Sequence, residues 1–453
     1  MGQTVLAVDV LRDATAVATH RNESPWMTDE PQSLDCSRER MGPFAPLRNA
    51  NVEGGVDSRP TMEIVDYRIH DVEPRWLFTE LETSSGLVGW GEHVTAGGAD
   101  TVATAVERLI EGYLLGNDPL PIEDHWHHMY RGGFYRGGPV LMSAIAGIDQ
   151  ALWDLKGKHY GAPVHEILGG KVRDRVRVYR WIGGDDPSAV GEHARQRLDE
   201  GLTAMKMNAT GRVRHVDSPA AVEDARARVA EVREVIGADA DIALDFHGRV
   251  TKPMAKRLAA AVDPYDPLFI EEPVLAEHND ALSVIAPHTS AAIATGERMY
   301  GRWDFKPILE TGAVDVVQPD LSHAGGITEV RKIATMAAAY DVALAPHCPL
   351  GPVAFAACLN VDAACRNAVI QEQSLDIHYH ADTDLLDYLV DPSVFDLEDG
   401  HVVVPDGPGL GIELDPDAFR YRADRSAEVE DEADASERTA PPWYHPDGSL
   451  AEW

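Results

Sequence analysis

Two hydrophobic rhythms divide the chain. From Met62 apolar and polar residues alternate in MEIVDYRIHDV and again in RWLFTELETSSGLVGWGEH, where Gly86 falls between two strand-like runs. A period of two is that of half-buried strands, so a hairpin is predicted here. In TVATAVERLIEGYLLG the apolar Val102, Val106, Leu109, Ile110, Tyr113 and Leu114 recur at helical spacing, with Gly116 as a stop. Pro139 then opens PVLMSAIAGIDQALWDLKGKHYG, apolar on most faces and ended by Gly161, the pattern of a buried helix. Strands followed by helices, without alternation between them, predict a separate α+β domain over residues 61–175.

Beyond that point the two rhythms interleave. Strand-like runs occur at VRVYRWI, TAMKMN, IALDF, PLFIEE, AAIATGE, VDVVQPD, VALAPH and AVIQE, and helical patterns such as SAVGEHARQRLDEGL and ITEVRKIATMAAAY lie between most of them. Eight strands alternating with about seven helices predict an α/β fold, a (β/α)7β TIM-like barrel over residues 176–395 with the α+β domain as its cap. HVVVPDGPGLGIELD, within 396–421, reads as strand and turn returning to the cap. Residues 1–60 keep neither period and read as an extension, and the acidic stretch 422–453 reads as a solvated tail.

Composition narrows the classes. A 453-residue chain that is 44% hydrophobic, with a mean hydropathy of −0.24, suits a soluble protein of two domains or one elaborated barrel. No apolar run approaches the roughly 20 residues that span a bilayer, which predicts a cytoplasmic location. The four cysteines, Cys36, Cys348, Cys358 and Cys365, show no paired spacing and are expected to be reduced and mostly buried. A formal charge of −35, with only eight lysines among 40 basic residues, repels nucleic acid and anionic membranes.

The ends of the eight runs carry the candidate chemistry: Lys206 and Asn208, Asp245 and His247, Glu271, Glu297, Asp320, His347 and Glu372. Parallel barrel strands bring their C-terminal ends around one opening. Asp245, Glu271 and Glu297 follow one another at steps of 26 residues, about one strand–loop–helix unit, so three carboxylates converge there. Such oxygen ligands suit Mg²⁺, one ion per site, with Glu272 left as an alternative to Glu271. His347 and Asp320 end neighbouring strands, which allows the carboxylate to fix the ring tautomer and make His347 a general base. His247 stands two residues past Asp245, on the same side of the chain. Glu372 could meet a developing oxyanion, Lys206 a substrate carboxylate, and Asn208 supplies a neutral partner. Arg136, in MYRGGFYRGGP, is a candidate to cap an anionic substrate. His125, His127 and His128 lack metal-binding helical spacing, and GPGLG lacks the strand–helix setting of a dinucleotide site.

RGGFYRGGPVLMSAIAGIDQALWDLKGK, VYRWIGGD, KMN, DFHGR, FIEEPV, GERMYGRWDF, QPDLSHAGGITE, PHCPLGP and IQEQSLDIHY together resemble the enolase superfamily, in its mandelate racemase-like branch and, more narrowly, the D-galactonate dehydratase family. The likeness runs from about Met62 to Leu414. It implies Asp245, Glu271 and Glu297 as Mg²⁺ ligands, His347 as base assisted by Asp320, His247 as acid, and Glu372 as the group that stabilises an enediolate. It further implies a sugar-acid substrate and a homo-oligomer. D-Gluconate and D-xylonate stand as alternative substrates, because the catalytic groups do not read C4. A racemase would use the same metal and release no water, and a non-catalytic barrel would at most bind the ion.

The surface charge generates a first prediction. A surface this acidic predicts a halophilic source, in which salt screens the self-repulsion, so thermal stability should rise steeply with KCl from dilute buffer to molar concentrations. A flat melting temperature over that range would sink this reading.

Overall fold

The computed structural model describes residues 62–95, 98–183, 189–377, 383–419, 443–445 and 447–452. The expected extension and residues 422–442 of the expected tail lie outside the described residues.

The alternating N-terminal segment forms three strands, with the expected hairpin at Gly86. β1 (Ile64–Val72), β2 (Trp76–Thr83) and β3 (Val88–His93) make an antiparallel sheet. The long second run supplies both β2 and β3, folded back around Gly86. α1 (Ala99–Leu109), α2 (Ile122–Arg131) and α3 (Pro139–Tyr160) follow. α3 begins at the proline and stops at Gly161 in the left-handed conformation, as its sequence signals predict. It lies so close to β3 that a Cβ on Gly91 would strike the carbonyl of Gly147. The aliphatic faces of α1, α2 and α3 share one core with Ile64, Leu77 and Leu81. α4 (Val164–Ile167) leads into the second unit of the fold.

There the chain alternates as its pattern demands: β4 (Arg175–Trp181), α5 (Val190–Asp199), β5 (Ala204–Asn208), α6 (Pro219–Ile236), β6 (Asp241–Asp245), α7 (Lys252–Val262), β7 (Phe269–Glu271), α8 (Leu282–Ile285), β8 (Ala292–Thr295), α9 (Arg302–Thr311), β9 (Val316–Val317), α10 (Gly326–Ala338), β10 (Ala343–Leu344), α11 (Pro352–Ala364) and β11 (Gln371–Gln373). β4 to β10 pair in parallel in sequence order, β11 pairs with β4, and a parallel bridge from Leu344 to Ala368 joins the last two. The ring is the expected TIM-like barrel. Its centre is filled by Tyr179, Ala204, Ala243, Phe269, Ala294, Val316, Ala345 and Ile370. The bulky residues of some strands fill the space left by alanines on the others, which gives the close packing such an interior needs.

β9 and β10 are shorter than the apolar runs that predict them. The ladder ends at Val317 and Leu344, and the chain beyond each is released from sheet pairing to bring Asp320 and His347 over the opening. The last part of the fold also differs in detail. β12 (Leu397–Glu398) and β13 (His401–Val403) form a small antiparallel pair, and β13 adds to the outer edge of β4. Only after it does the chain run to the cap, where the Leu410 N–H donates to Asp154 of α3 at 2.9 Å and Phe419 stacks on Trp90 of β3 at 5.3 Å.

Polar contacts tie cap to barrel. Trp126 donates its indole N–H to the carbonyl of Gly325 at 2.7 Å. Glu92, buried at the end of β3, accepts the N–H groups of Gly351 (2.6 Å) and Ala354 (2.9 Å) at the start of α11. A carboxylate there satisfies orphan helix donors and meets the positive end of the helix dipole. Cys348, Cys358 and Cys365 are free and buried. Among the described residues no helix is long and apolar enough to cross a membrane.

Gly91→Ala should therefore be costly. The added methyl meets backbone, which cannot swing aside, and forces β3 off α3 at a cost of about 3 kcal/mol or more. Urea unfolding of the variant is expected to show a clearly lowered midpoint, and an unchanged midpoint would contradict this packing.

Candidate active site

Burial of apolar runs drives the barrel strands inward, and each ends where the interior meets the opening. Asp245 pairs in register with Asn208 on one side and Glu271 on the other. Glu297 follows β8 after Gly296, where a Cβ would come within 2.8 Å of the Gln318 backbone. Asp320, His347 and Glu372 complete the circle from β9, β10 and β11. Of the residues singled out in the sequence, these and Lys206 and His247 are brought together. Arg136 stands exposed on the loop after α2.

His347 and His247 approach Glu297 from two sides. His347 Nε2 lies 3.3 Å from Oε2 of that carboxylate, and His247 Nε2 lies 3.8 Å from Oε1. The other ring nitrogen of His347, Nδ1, is 2.8 Å from Asp320 Oδ2, while Asp320 Oδ1 accepts the Ser322 N–H at 2.7 Å. With Asp320 ionised, Nδ1 carries the hydrogen and Nε2 is left to exchange protons. His247 sits at φ 53°, a left-handed conformation that is strained for a side-chain-bearing residue. Its N–H donates to Asp245 Oδ1 at 2.5 Å and its carbonyl accepts from Arg298 at 2.8 Å, so both ends of the peptide are held.

Lys206 lies at the bottom of the site, 2% exposed, with Nζ 3.0 Å from Glu271 Oε1 and 2.8 Å from Glu372 Oε1. Its ammonium also faces the rings of Tyr179 and Trp181 at 5.6 and 5.8 Å. Glu372 Oε2 accepts the Cys348 N–H at 2.9 Å, which links it to the peptide next to His347. Glu272, the alternative to Glu271, pairs instead with Arg298 at 3.0 Å.

Burial and mutual repulsion shape the protonation of the cluster. Burial, reinforced by Glu271 and Glu297, pushes the Asp245 carboxyl well above the usual range. Burial also pushes Glu271 up, with Glu372 and Glu297 adding to it and Lys206 opposing. At Glu297 burial acts upward but is outweighed by His347, His247 and Arg298, and the carboxyl lies below its ordinary value. Burial would lower His347, yet Glu297 and the hydrogen bond to Asp320 raise it to about 9. His247 falls to about 3, chiefly through burial.

The carboxylates fit a hard cation. Donor atoms of Asp245, His247 and Glu297 lie within 4.8 Å of one another, and Glu271 Oε2 is buried with no hydrogen-bond partner among the described residues. A raised Asp245 and a raised Glu271 are the signature of a place short of positive charge. Three oxygens on adjoining strands suit Mg²⁺ better than a set that includes an imidazole.

Several residues at the site carried no clear signal in the sequence. Arg298, next to Glu297, bridges it and Glu272. His323 reaches the cap through Ser143 Oγ at 2.7 Å and meets the edge of Tyr300. Arg249 is 4% exposed and lies under Trp443, a residue of the expected solvated tail, at 4.6 Å. The other histidine cluster belongs to packing: His125 bonds Tyr113 and the Asp118 carbonyl, and His128 stacks on Tyr113.

Comparison with known proteins matches both halves. Residues 68–169 match the mandelate racemase / muconate lactonizing enzyme N-terminal domain, and residues 189–418 match the enolase C-terminal domain-like family. D-galactonate dehydratase of Ralstonia pickettii is 52% identical over 392 residues, which is 86% of this chain and all of that protein. The enzyme of the same name from Pectobacterium atrosepticum is 50% identical over the same shares. A crystal structure of an Agrobacterium radiobacter enolase, described as a candidate galactarate dehydratase with sodium and L-malate bound, aligns with a TM-score of 0.76 at 32% identity and covers 86% of this chain and 99% of its own. With its cap and its barrel both matched, the chain belongs to the enolase superfamily, in the mandelate racemase / muconate lactonizing enzyme branch, alongside the D-galactonate dehydratases.

Proposed function

We propose that this protein is a Mg²⁺-dependent dehydratase of aldonic acids, with D-galactonate as first substrate and 2-dehydro-3-deoxy-D-galactonate and water as products. The observation that carries this reading is the pair of imidazoles set on two sides of one carboxylate, His347 backed by Asp320 and His247 held in a strained turn. Elimination of water across C2 and C3 needs one group to take a proton and another to give one. The names of relatives at about half identity supply the substrate.

Asp245, Glu271 and Glu297 would hold the ion. A divalent cation there would draw charge from the substrate carboxylate and so acidify the C2 hydrogen. His347 Nε2 then takes the C2 proton, with Asp320 stabilising the imidazolium. Lys206 and Glu372, locked to each other at 2.8 Å, face the enediolate and fix its orientation. His247 delivers a proton to the departing C3 hydroxyl, and the enol tautomerises to the 2-keto-3-deoxy acid. D-Gluconate shares C2 and C3 with D-galactonate and differs at C4, so discrimination falls to cap and loop residues, Arg136 being the candidate from the cap. An enzyme for such a charged metabolite belongs in the cytoplasm, as a homo-oligomer like the family it resembles.

The pKa directions favour a second reading, in which His247, held low, is the base and His347, held high, the acid. Isotope exchange separates the two.

A screen of aldonic acids with Mg²⁺ in high salt should yield a keto acid, read as its semicarbazone, from D-galactonate. Chelation should abolish the product and Mg²⁺ restore it. His347→Asn and His247→Asn should each lower kcat by about 10²- to 10⁴-fold. In D₂O the His247 variant should still exchange the C2 hydrogen, and the His347 variant should not. No keto product from any acid would end the dehydratase reading, and exchange in the His347 variant alone would reverse the two roles.

A further inference from the structure

Residues 443–445 and 447–451, read in the sequence as part of a solvated tail, pair with one another beside the barrel loops. Ala451 N–H donates to the Trp443 carbonyl at 2.8 Å, His445 N–H donates to the Ser449 carbonyl at 2.8 Å, and Tyr444 bridges to Leu450. The hairpin is seated by arginines from two barrel loops. Arg212, after β5, donates to the Tyr444 carbonyl at 2.7 Å and sets its guanidinium 5.5 Å from the Trp443 ring. Arg249, after β6, presents its guanidinium to the same ring at 4.6 Å and donates to the Thr210 carbonyl at 3.0 Å. A cation over an indole face is attracted by the ring quadrupole, more strongly where water is excluded, and Arg249 is buried.

Arg249 closes the turn that begins at Asp245. Its N–H bonds the Phe246 carbonyl at 3.0 Å, and the Gly248 N–H bonds the Glu272 carbonyl at 2.9 Å. Between Phe246 and Arg249 the backbone passes through two consecutive left-handed residues, His247 at φ 53° and Gly248 at φ 62°. Such a backbone persists only where its surroundings over-determine it. Arg298 and Glu272 hold the inner side of this turn. Arg249 adds a further hold, its guanidinium bonded to the Thr210 carbonyl and set 4.6 Å from the Trp443 ring.

We propose that Trp443 is a positioning residue for His247: by clamping Arg249 it fixes the turn that aims the imidazole at the leaving hydroxyl. Resting on the role of His247 as acid, the proposal gives the C-terminal hairpin a part in the second half of the reaction and none in the first. Loss of the indole removes the aromatic side of the grip on Arg249 and leaves the Thr210 contact alone to steady the guanidinium, so the strained turn loosens and the imidazole meets the C3 oxygen less well. Proton abstraction by His347, on the far side of Glu297, is unaffected.

The test uses the full chain with Mg²⁺ and compares wild type with Trp443→Ala and Trp443→Phe. In D₂O, keto acid and deuterium at C2 of recovered substrate are measured together. Trp443→Ala is expected to lose about tenfold or more in kcat with little change in KM, the mark of an interaction realised in the transition state. Exchange at C2 per product formed should rise, and Trp443→Phe should restore most of the activity. Equal loss of exchange and product, a rise in KM alone, or wild-type rates in Trp443→Ala would overturn the proposal. A substrate-free readout runs beside it: diethyl pyrocarbonate should modify His247 several-fold faster in Trp443→Ala, as seen by peptide mass spectrometry, and an unchanged rate would overturn the proposal equally. If wild type turns over no aldonic acid, the dehydratase reading fails by itself, and the modification rate alone decides for Trp443.

Discussion

Negative charge crowded into a low-dielectric opening is the constraint on which the rest of this structure depends. Asp245, Glu271, Glu272, Glu297, Asp320 and Glu372 converge there, while the permanent cations beside them among the described residues are Lys206, Arg249 and Arg298. An unpaired buried carboxylate costs several kcal/mol. The fold meets part of that cost with Lys206, shared between Glu271 and Glu372, and with Arg298, shared between Glu272 and Glu297. The raised Asp245 and Glu271 show what is left uncompensated. A divalent ion and a protonated histidine would balance the remainder, and both are what a carboxylate-activating elimination requires.

The same constraint explains how the site is framed. Strain at His247 is tolerated because its peptide is tied to Asp245 and Arg298. The peptide after His347 is tied to Glu372, and α11, which follows at once, is tied through Glu92 to the cap sheet. His347 therefore sits on a segment fastened to both halves of the fold, and His247 on a turn fastened by neighbouring barrel loops. Each histidine can respond to different surroundings although both face one carboxylate.

Much of this was legible in the sequence because barrel strands impose a simple rule. Apolar runs such as IALDF, PLFIEE and AAIATGE must be buried, so the polar residue that ends each one must lie at the opening. α3 was legible for a similar reason, its proline, its all-round apolar faces and its glycine stop agreeing with one another. What was illegible lies in contacts between distant segments. Nothing in GER says that Arg298 will bridge Glu272, and nothing in KMN says that Lys206 will be shut between two carboxylates. Trp443 sits in acidic, proline-containing surroundings whose local chemistry reads as solvated, and its partners Arg212 and Arg249 lie about 200 residues earlier.

The central claim is that three carboxylates hold the cation and leave His247 free to give a proton. Anomalous scattering from a crystal grown with Mn²⁺ in place of Mg²⁺ tests it most directly. A single peak bonded to oxygens of Asp245, Glu271 and Glu297, with His247 outside the ligand sphere, is the expected result. A metal bonded to the His247 ring with Glu271 turned away would contradict the claim, because an imidazole bound through its Nε2 has no proton to deliver.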